Sequence, residues 1–433
     1  MEQDFSIQQL NAKLVSSIYE YLNRDGAVTG PEDLLMVEEL GHPGFRFFRG
    51  LHEIGFYEMT HAEQVVLLIY CDQFVSHGPE PLVFGDVSMK KHRDELVRGK
   101  NALMEKGLVE GSSLDADCGD RSDSRRERSI LTADICGRLF YGMTDLIPYS
   151  SLTRQAEVIK STSILKRDLF FDEKDISDVA RVRKLLDPKT YRDVMARLVS
   201  HGHRDAAMCL FYGAPGTGKT ELAKQLARET GRDIFIADPA KLNASFHGDS
   251  EKNYRQLFRN YRYFAKISPE APILLLNEAD ALLGKRLTDI RQAVDTILNN
   301  VQNILLQELE DFEGILIATT NLTECLDAAY ERRFLFKVFF HKPSVSVREK
   351  IWRSVVPELS QYEATTLAGA YDFSGAQIAN VAVKRDIDEA LDGETPDLRK
   401  MMDYCEAEKF ASADESERPK IGFVQVREQA FKC

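Results

Sequence analysis

Long apolar runs are missing from this sequence. The longest, Val65–Cys71, falls far short of the ~20 residues that a bilayer-spanning helix needs, so no membrane span is expected. The start, Met1-Glu2-Gln3-Asp4, lacks the basic and apolar stretches of a secretory leader, which predicts a cytoplasmic protein. A positive excess is missing as well: Lys and Arg total 56 against 69 Asp and Glu, a net charge of -13. Attraction to polyanions is therefore no property of the whole surface, and nucleic acid is met only through a local patch. Cysteine is unpatterned. The seven (Cys71, Cys118, Cys136, Cys209, Cys325, Cys405, Cys433) are odd in number and never fall at CxxC spacing, which argues against a disulfide framework or a zinc site and predicts reduced thiols. What is present is an ordinary globular composition, 43% hydrophobic and 29% charged, spread over 433 residues. That length exceeds what one core supports, so more than one domain is expected.

Two textures meet near residue 155. The first part has apolar residues at three- and four-residue spacing over Ile7–Leu22 and His61–Val75, which predicts helices. An amphipathic helix over His92–Lys106 should stop at Gly107, with a strand beginning at Leu108 and Val109. A polar stretch, Gly111–Arg128, leads to a second strand at Ser129–Leu131. From Ala206 onward, short apolar runs alternate with longer helical stretches, the pattern of a parallel sheet covered by helices. The runs are Met208–Gly213, Asp233–Asp238, Pro272–Asp280, Gly314–Asn321 and Phe334–Phe340, and they imply five buried strands. Beyond Pro343 the chain reads as helices, and Ala413–Pro419 as a charged tail.

The strongest local signal is GAPGTGKT, Gly213–Thr220, directly after a strand and directly before a helix. Glycines let backbone N–H groups converge on phosphate oxygens, and the helix N-terminus adds positive potential. Lys219 would reach the β and γ phosphates of a nucleotide and Thr220 would ligate magnesium. The run Ile273–Leu276 is followed by Asn277, Glu278, Ala279 and Asp280, where a second nucleotide strand should end. An amide stands at the first of these positions instead of a carboxylate. Asn277 still accepts a hydrogen bond but brings no charge, so magnesium affinity is expected to fall while Glu278 remains available as the base. His201 and His203 have no partner at metal spacing and read as capping or surface residues.

With these motifs in hand, the chain resembles the AAA clade of AAA+ ATPases over roughly residues 165 to 400. Within that clade it is similar to a bacterial set that joins a winged-helix-like N-terminal region to one ATPase module. The resemblance implies a P-loop NTPase, a three-layer αβα fold with a five-stranded parallel sheet. The divisions would be a mainly helical, winged-helix-like domain (1–155), the α/β ATPase domain (156–340), a helical lid (341–400) and a tail (401–433). It implies ATP and Mg2+ held by Gly213, Pro215, Gly216, Thr217, Gly218, Lys219 and Thr220, with Asn277 the departure from the family pattern. Asn321, ending GILIATTN, matches the sensor 1 position that contacts γ-phosphate or the attacking water. Leu326–Phe334 matches the second region of homology, which puts Arg332 and Arg333 where arginine fingers reach a neighbouring subunit. Phe373–Ile378 matches the sensor 2 region in the form with Gly375 and Ala376 near the nucleotide. Phe246 and His247 match the first pore loop, although a loop aromatic is as often a local packing residue. A ring of copies, a hexamer in this family, acting on a protein client is the function implied. Lys90, Lys91, Arg93, Arg98 and Lys100, with Arg121, Arg125, Arg126 and Arg128 in the wing, leave a DNA-associated switch as the alternative. Nearby Asp115, Asp117, Asp120, Asp123 and Glu127 nearly neutralise the wing and favour protein interaction.

Overall fold

The computed structural model describes residues 47–79 apart from 48 and 52, then 82–83, 93–111, 128–144, 155–243, 249–283, 293–321 and 327–409. By contact they divide into two compact units. One holds the residues up to Arg167 with Lys174–Ala214 and Lys219–Phe340; the other holds Asp168–Glu173, Pro215–Gly218 and the residues from His341.

After a 3-10 turn (Phe56–Glu58), the described part of the first unit has helix α1 (His61–His77), strand β1 (Leu82–Val83), helix α2 (Arg93–Glu105), strands β2 (Val109–Gly111) and β3 (Arg128–Leu131), and helix α3 (Ala133–Phe140). Thr60 starts α1 with a reciprocal cap: its hydroxyl accepts from the Glu63 N–H at 3.4 Å and its own N–H donates to the Glu63 carboxylate at 2.7 Å. The helix is then buried by Val66, Leu67, Leu68 and Cys71. Helix α2 comes so close to α1 at Gly99 that an added Cβ would lie 2.9 Å from the Ala62 carbonyl, so only glycine fits there. The three strands form an antiparallel sheet in the order β1-β3-β2, with Val109 opposite Leu131. The expected order of helix, strand and strand is thus present. Lys100 corrects one expectation: it is buried and turned away from any phosphate-binding role, because its position on α2 faces the core. The segment 7–22, Lys90 and Lys91, and the wing arginines 121, 125 and 126 lie outside the described residues.

The rest of this unit is strand β4 (Glu157–Ile159), helices α4 (Glu173–Leu186, whose first residue groups with the second unit) and α5 (Pro188–Ser200), strand β5 (Ala206–Gly213) and helix α6 (Lys219–Thr230). Strand β6 (Ile234–Ala237), helices α7 (Pro239–Asn243) and α8 (Asp249–Ile267), strand β7 (Ile273–Leu276) and helices α9 (Asp280–Leu283) and α10 (Ala293–Glu310) come next. Strand β8 (Gly314–Thr320), helix α11 (Ala328–Glu331) and strand β9 (Phe336–Phe340) complete it. All five expected strands are there and run parallel, in the order β6-β7-β8-β5-β9. Among the described residues the sheet has six strands, not five: β4 adds an antiparallel edge to β6, with Glu157 opposite Ile236. Three residues with an exposed glutamate carry no apolar run, so nothing in the sequence marked this strand. The central strands β7 and β8 are buried along their whole length, which is why their sequences read as continuous apolar runs.

Helix α8 joins the N-terminal elements to the sheet. Tyr263 donates to the Leu131 carbonyl, the Gly142 N–H donates to the Ile267 carbonyl at 2.7 Å, and Lys266 pairs with Asp134 at 3.1 Å. Phe74 lies 5.8 Å from the Tyr263 ring, so one apolar core runs through both parts.

The second unit is helical after β9, as expected: α12 (Val345–Val355), α13 (Gln361–Ala370), α14 (Gly375–Asp392) and α15 (Leu398–Lys409) close around Trp352. Ser344, Ser360 and Ser374 each cap a helix start, and Glu363 and Gln377 complete reciprocal caps. Helix α15 continues past residue 400, where the tail was expected to begin. Among the described residues no helix is long and apolar enough to cross a membrane. The described cysteines, Cys71, Cys136, Cys209 and Cys405, are buried free thiols.

Candidate active site

The apolar run of β5 ends in Gly213, and the loop after it needs glycine. Gly216 has φ 74° and Gly218 φ 96°, the left-handed region that side chains with a Cβ avoid. Lys219 opens α6 and turns its amine back over the loop. Its Nζ donates to the carbonyls of Gly213 at 2.8 Å and Ala214 at 2.7 Å, and to Asn321 Oδ1 at 2.9 Å. Burial pushes this amine down to about 8, against the pull of the Asp280 and Glu278 carboxylates. Thr220, the next residue, donates its hydroxyl proton to Asn277 Oδ1 at 2.6 Å.

Opposite the loop, the ends of β7 and β8 are stitched together. The Glu278 N–H donates to Thr319 Oγ1 at 3.0 Å, the Ala279 N–H to the Thr319 carbonyl at 2.9 Å, and Thr319 Oγ1 to Asn277 Oδ1 at 3.1 Å. These bonds hold Glu278 at φ 53°, the one non-glycine residue with positive φ among the described residues. Such a conformation persists only where its surroundings enforce it, and here it leaves Glu278 exposed directly after Asn277. Asp280 takes the Thr320 hydroxyl at 2.5 Å and the Asn321 N–H at 2.8 Å.

Residues 209–342 match the family model described as "ATPase family associated with various cellular activities (AAA)". The chain carries an AAA ATPase domain. It is 30% identical over 187 residues to the katanin p60 ATPase-containing subunit A1 of Strongylocentrotus purpuratus, covering 40% of this chain and 35% of that protein. The mitochondrial inner membrane i-AAA protease supercomplex subunit YME1 of Saccharomyces cerevisiae is 30% identical over 57% of this chain and 34% of its own length. Proteasome-activating nucleotidase 2 of Haloferax volcanii is 27% identical over 60% of this chain and 63% of its own length. The chain thus spans less than two thirds of each of these relatives.

AAA ATPase domains take ATP with magnesium, and the residues of this one fit both. The loop glycines and Lys219 suit a polyphosphate. Among the described residues no group of three or more His, Cys, Asp or Glu is arranged to hold a metal. The donors at hand, the Thr220 hydroxyl and the Asn277 amide, suit magnesium, which keeps most of its waters and leans on phosphate oxygens.

The AAA domain brings Lys219, Thr220, Asn277, Glu278 and Asn321 together. Within the second unit the loop tip meets the start of α14: the Ala376 N–H donates to the Gly216 carbonyl at 3.2 Å, and a Cβ on Gly216 would lie 2.6 Å from Ser374 Oγ. Gly375 and Ala376 are therefore beside Gly216 at the loop tip, which Pro215, Thr217 and Gly218 flank in sequence. Arg332 and Arg333 are not brought to this cluster by any interaction among the described residues. Arg333 is held in its own chain, donating to the Ala329 carbonyl at 2.5 Å and pairing with Glu310, whereas Arg332 caps α11 with its side chain exposed. Phe246 and His247 lie outside the described residues. His201 caps α5, its ring meeting the Arg197 carbonyl at 2.7 Å, as a capping residue should. Thr319 and Asp280 join this cluster without a role that their sequence positions announce. Their signals were present in Thr319-Thr320 directly before Asn321 and in a carboxylate three residues after Asn277, but each needed the β7–β8 pairing to be placed.

Proposed function

We propose that this chain is an ATP hydrolase that works as a ring of copies and remodels a macromolecular client. The cluster of Lys219, Thr220, Asn277 and Asn321 at the carboxyl ends of β5, β7 and β8 carries the reading, because open parallel sheets bind ligands there. Phosphoryl transfer to water asks a protein for positioning and for charge more than for covalent chemistry. Lys219 would move from the Gly213 and Ala214 carbonyls to phosphate oxygens. Exposed Glu278 would take the proton of the attacking water, and Asn321 would orient that water. Thr220 and Asn277 are the residues that would hold magnesium, which supplies positive charge against the phosphates. Arg332, exposed at the end of α11, is suited to reach a second copy, and a head-to-tail interface that closes gives a ring, a hexamer by resemblance.

The same reading keeps 156–340 as the ATPase domain and 341–400 as a lid, supported by the grouping of residues from His341 into the second unit. The lid then extends through α15 to Lys409, and the tail starts after that residue. Residues 1–155 serve as a winged-helix-like protein-interaction region of a cytoplasmic machine. The three-stranded sheet behind α1 and α2 supports that reading, and buried Lys100 weakens the DNA-associated alternative. Phosphate release by the full chain tests the proposal. Turnover of ATP that disappears in Lys219→Ala is expected; turnover equal in both proteins would overturn it.

A further inference from the structure

The Asn321 side chain lies between a group that only accepts hydrogen bonds and a group that only donates them. On one side is Asp280: its Oδ2 accepts from Asn321 Nδ2 at 3.4 Å, while Oδ1 accepts the Asn321 backbone N–H at 2.8 Å and the Thr320 hydroxyl at 2.5 Å. On the other is the Lys219 ammonium, 2.9 Å from Asn321 Oδ1. An ionised carboxylate has no proton to give and an ammonium has no lone pair, so the amide between them has one satisfied orientation. Its amino group faces Asp280 and its carbonyl oxygen faces the Lys219 ammonium.

We propose that Asp280 is a positioning residue that presents the carbonyl oxygen of Asn321, and not its amino group, to the nucleotide. This rests on the reading of the cluster as an ATP site and sharpens it. A carbonyl oxygen serves the Lys219 ammonium or the attacking water, both of which donate to it, and is of no use to a phosphate oxygen, which only accepts. Asn321 therefore orients water and does not bind the γ-phosphate. Asp280 is well held for this task. It opens α9, its oxygens are filled by Thr320 and Asn321, and Thr320 is buried at the end of β8. It is also a negative charge with a fixed place beside Lys219, in a site whose position 277 carries a neutral amide.

Asp280→Asn separates this role from a structural one. The new amide keeps an oxygen for Thr320 and the Asn321 N–H but turns its amino group toward Asn321 Nδ2. Donor then faces donor, and the Asn321 amide reverses and offers N–H to the loop. The experiment measures equilibrium binding of a fluorescent β,γ-imido ATP analogue and of fluorescent ADP, both with magnesium, to the full chain. Asp280→Asn should bind the analogue about tenfold tighter, the effect of one hydrogen bond to a charged acceptor, with ADP affinity within about twofold of the original. In an Asn321→Ala background the same substitution should give no gain. Asp280→Ala removes the acceptor without adding a donor and should give a smaller gain, about threefold. Unchanged or weaker analogue binding in both Asp280 variants would overturn the proposal. So would a gain that survives in Asn321→Ala, since that would be a general charge effect. Absence of nucleotide binding by the unsubstituted chain, or binding that Lys219→Ala leaves intact, would instead overturn the ATP-site reading on which the proposal rests.

Discussion

The phosphate-binding cluster and the Arg332–Arg333 corner handle their charged groups in opposite ways. In the cluster, Lys219 has three acceptors, Asn277 takes two hydroxyls and Asp280 takes three donors, all from the same chain. At the corner, Arg333 is tied to Glu310 and the Ala329 carbonyl, while Arg332 is exposed. Under the proposed reading, holding phosphate draws on residues of one copy, whereas Arg332 is exposed and no interaction among the described residues ties it to the cluster. Of two adjacent arginines with the same motif match, Arg333 is held within its own chain and Arg332 is exposed, which makes Arg332 the proposed one to act between copies.

That contrast breaks most visibly at Arg332. Arg332→Ala should leave nucleotide affinity in place and lower turnover about 10³-fold, the scale of an arginine supplied in trans. Mixed with Lys219→Ala it should recover part of the activity, because some interfaces then pair an intact loop with an intact arginine. A loss of binding in place of a loss of turnover would put Arg332 in its own site. Arg333→Ala sharpens the same comparison: it should lower stability by about 1–3 kcal/mol, since it leaves Glu310 and the Ala329 carbonyl without their donor, and should spare most of the turnover per folded molecule. Thermal melting beside turnover distinguishes the two arginines.

Asn277→Asp addresses the departure from the family pattern. Restoring a carboxylate should shift the magnesium concentration for half-maximal activity downward by a few-fold, about 1 kcal/mol in a partly exposed site. An unchanged magnesium dependence would place Asn277 away from the ion. Far from the site, Glu63 offers a control on folding alone. Its carboxylate is held below the usual range chiefly by the Lys106 amine at 2.7 Å, together with the Thr60 cap, against burial. A carboxyl whose folded value is depressed stabilises fully above its ordinary titration range and stops doing so as pH falls through the folded value. Glu63→Gln should therefore cost about 1–2 kcal/mol near neutral pH and progressively less in acid, as denaturant unfolding at several pH values would measure.

Much of this was legible in the sequence alone. The five parallel strands could be read because each is an apolar run with no polar face, and the loop Gly213–Thr220 because its spacing is enforced by phosphate geometry. Strand β4 could not, since three residues at a sheet edge leave no periodic trace. Arg332 and Arg333 were indistinguishable in sequence, because what separates them is Glu310, far away in the chain. Lys100 looked like part of a basic surface until α2 was placed against α1. The role of Asp280 was hidden for the same reason as that of Thr319: it depends on which strand end lies beside which.

Glu278 is the residue on which the proposed hydrolysis depends most. Comparing the unsubstituted chain with Glu278→Gln for both magnesium-ATP binding and phosphate release is the most direct test, because the substitution removes the base while leaving Asn277, Lys219 and the loop in place. Binding within about twofold and phosphate release slowed about 10²- to 10⁴-fold, the range attributed to a general base, are expected if Glu278 is that base. Equal rates of phosphate release from the two proteins would contradict that role.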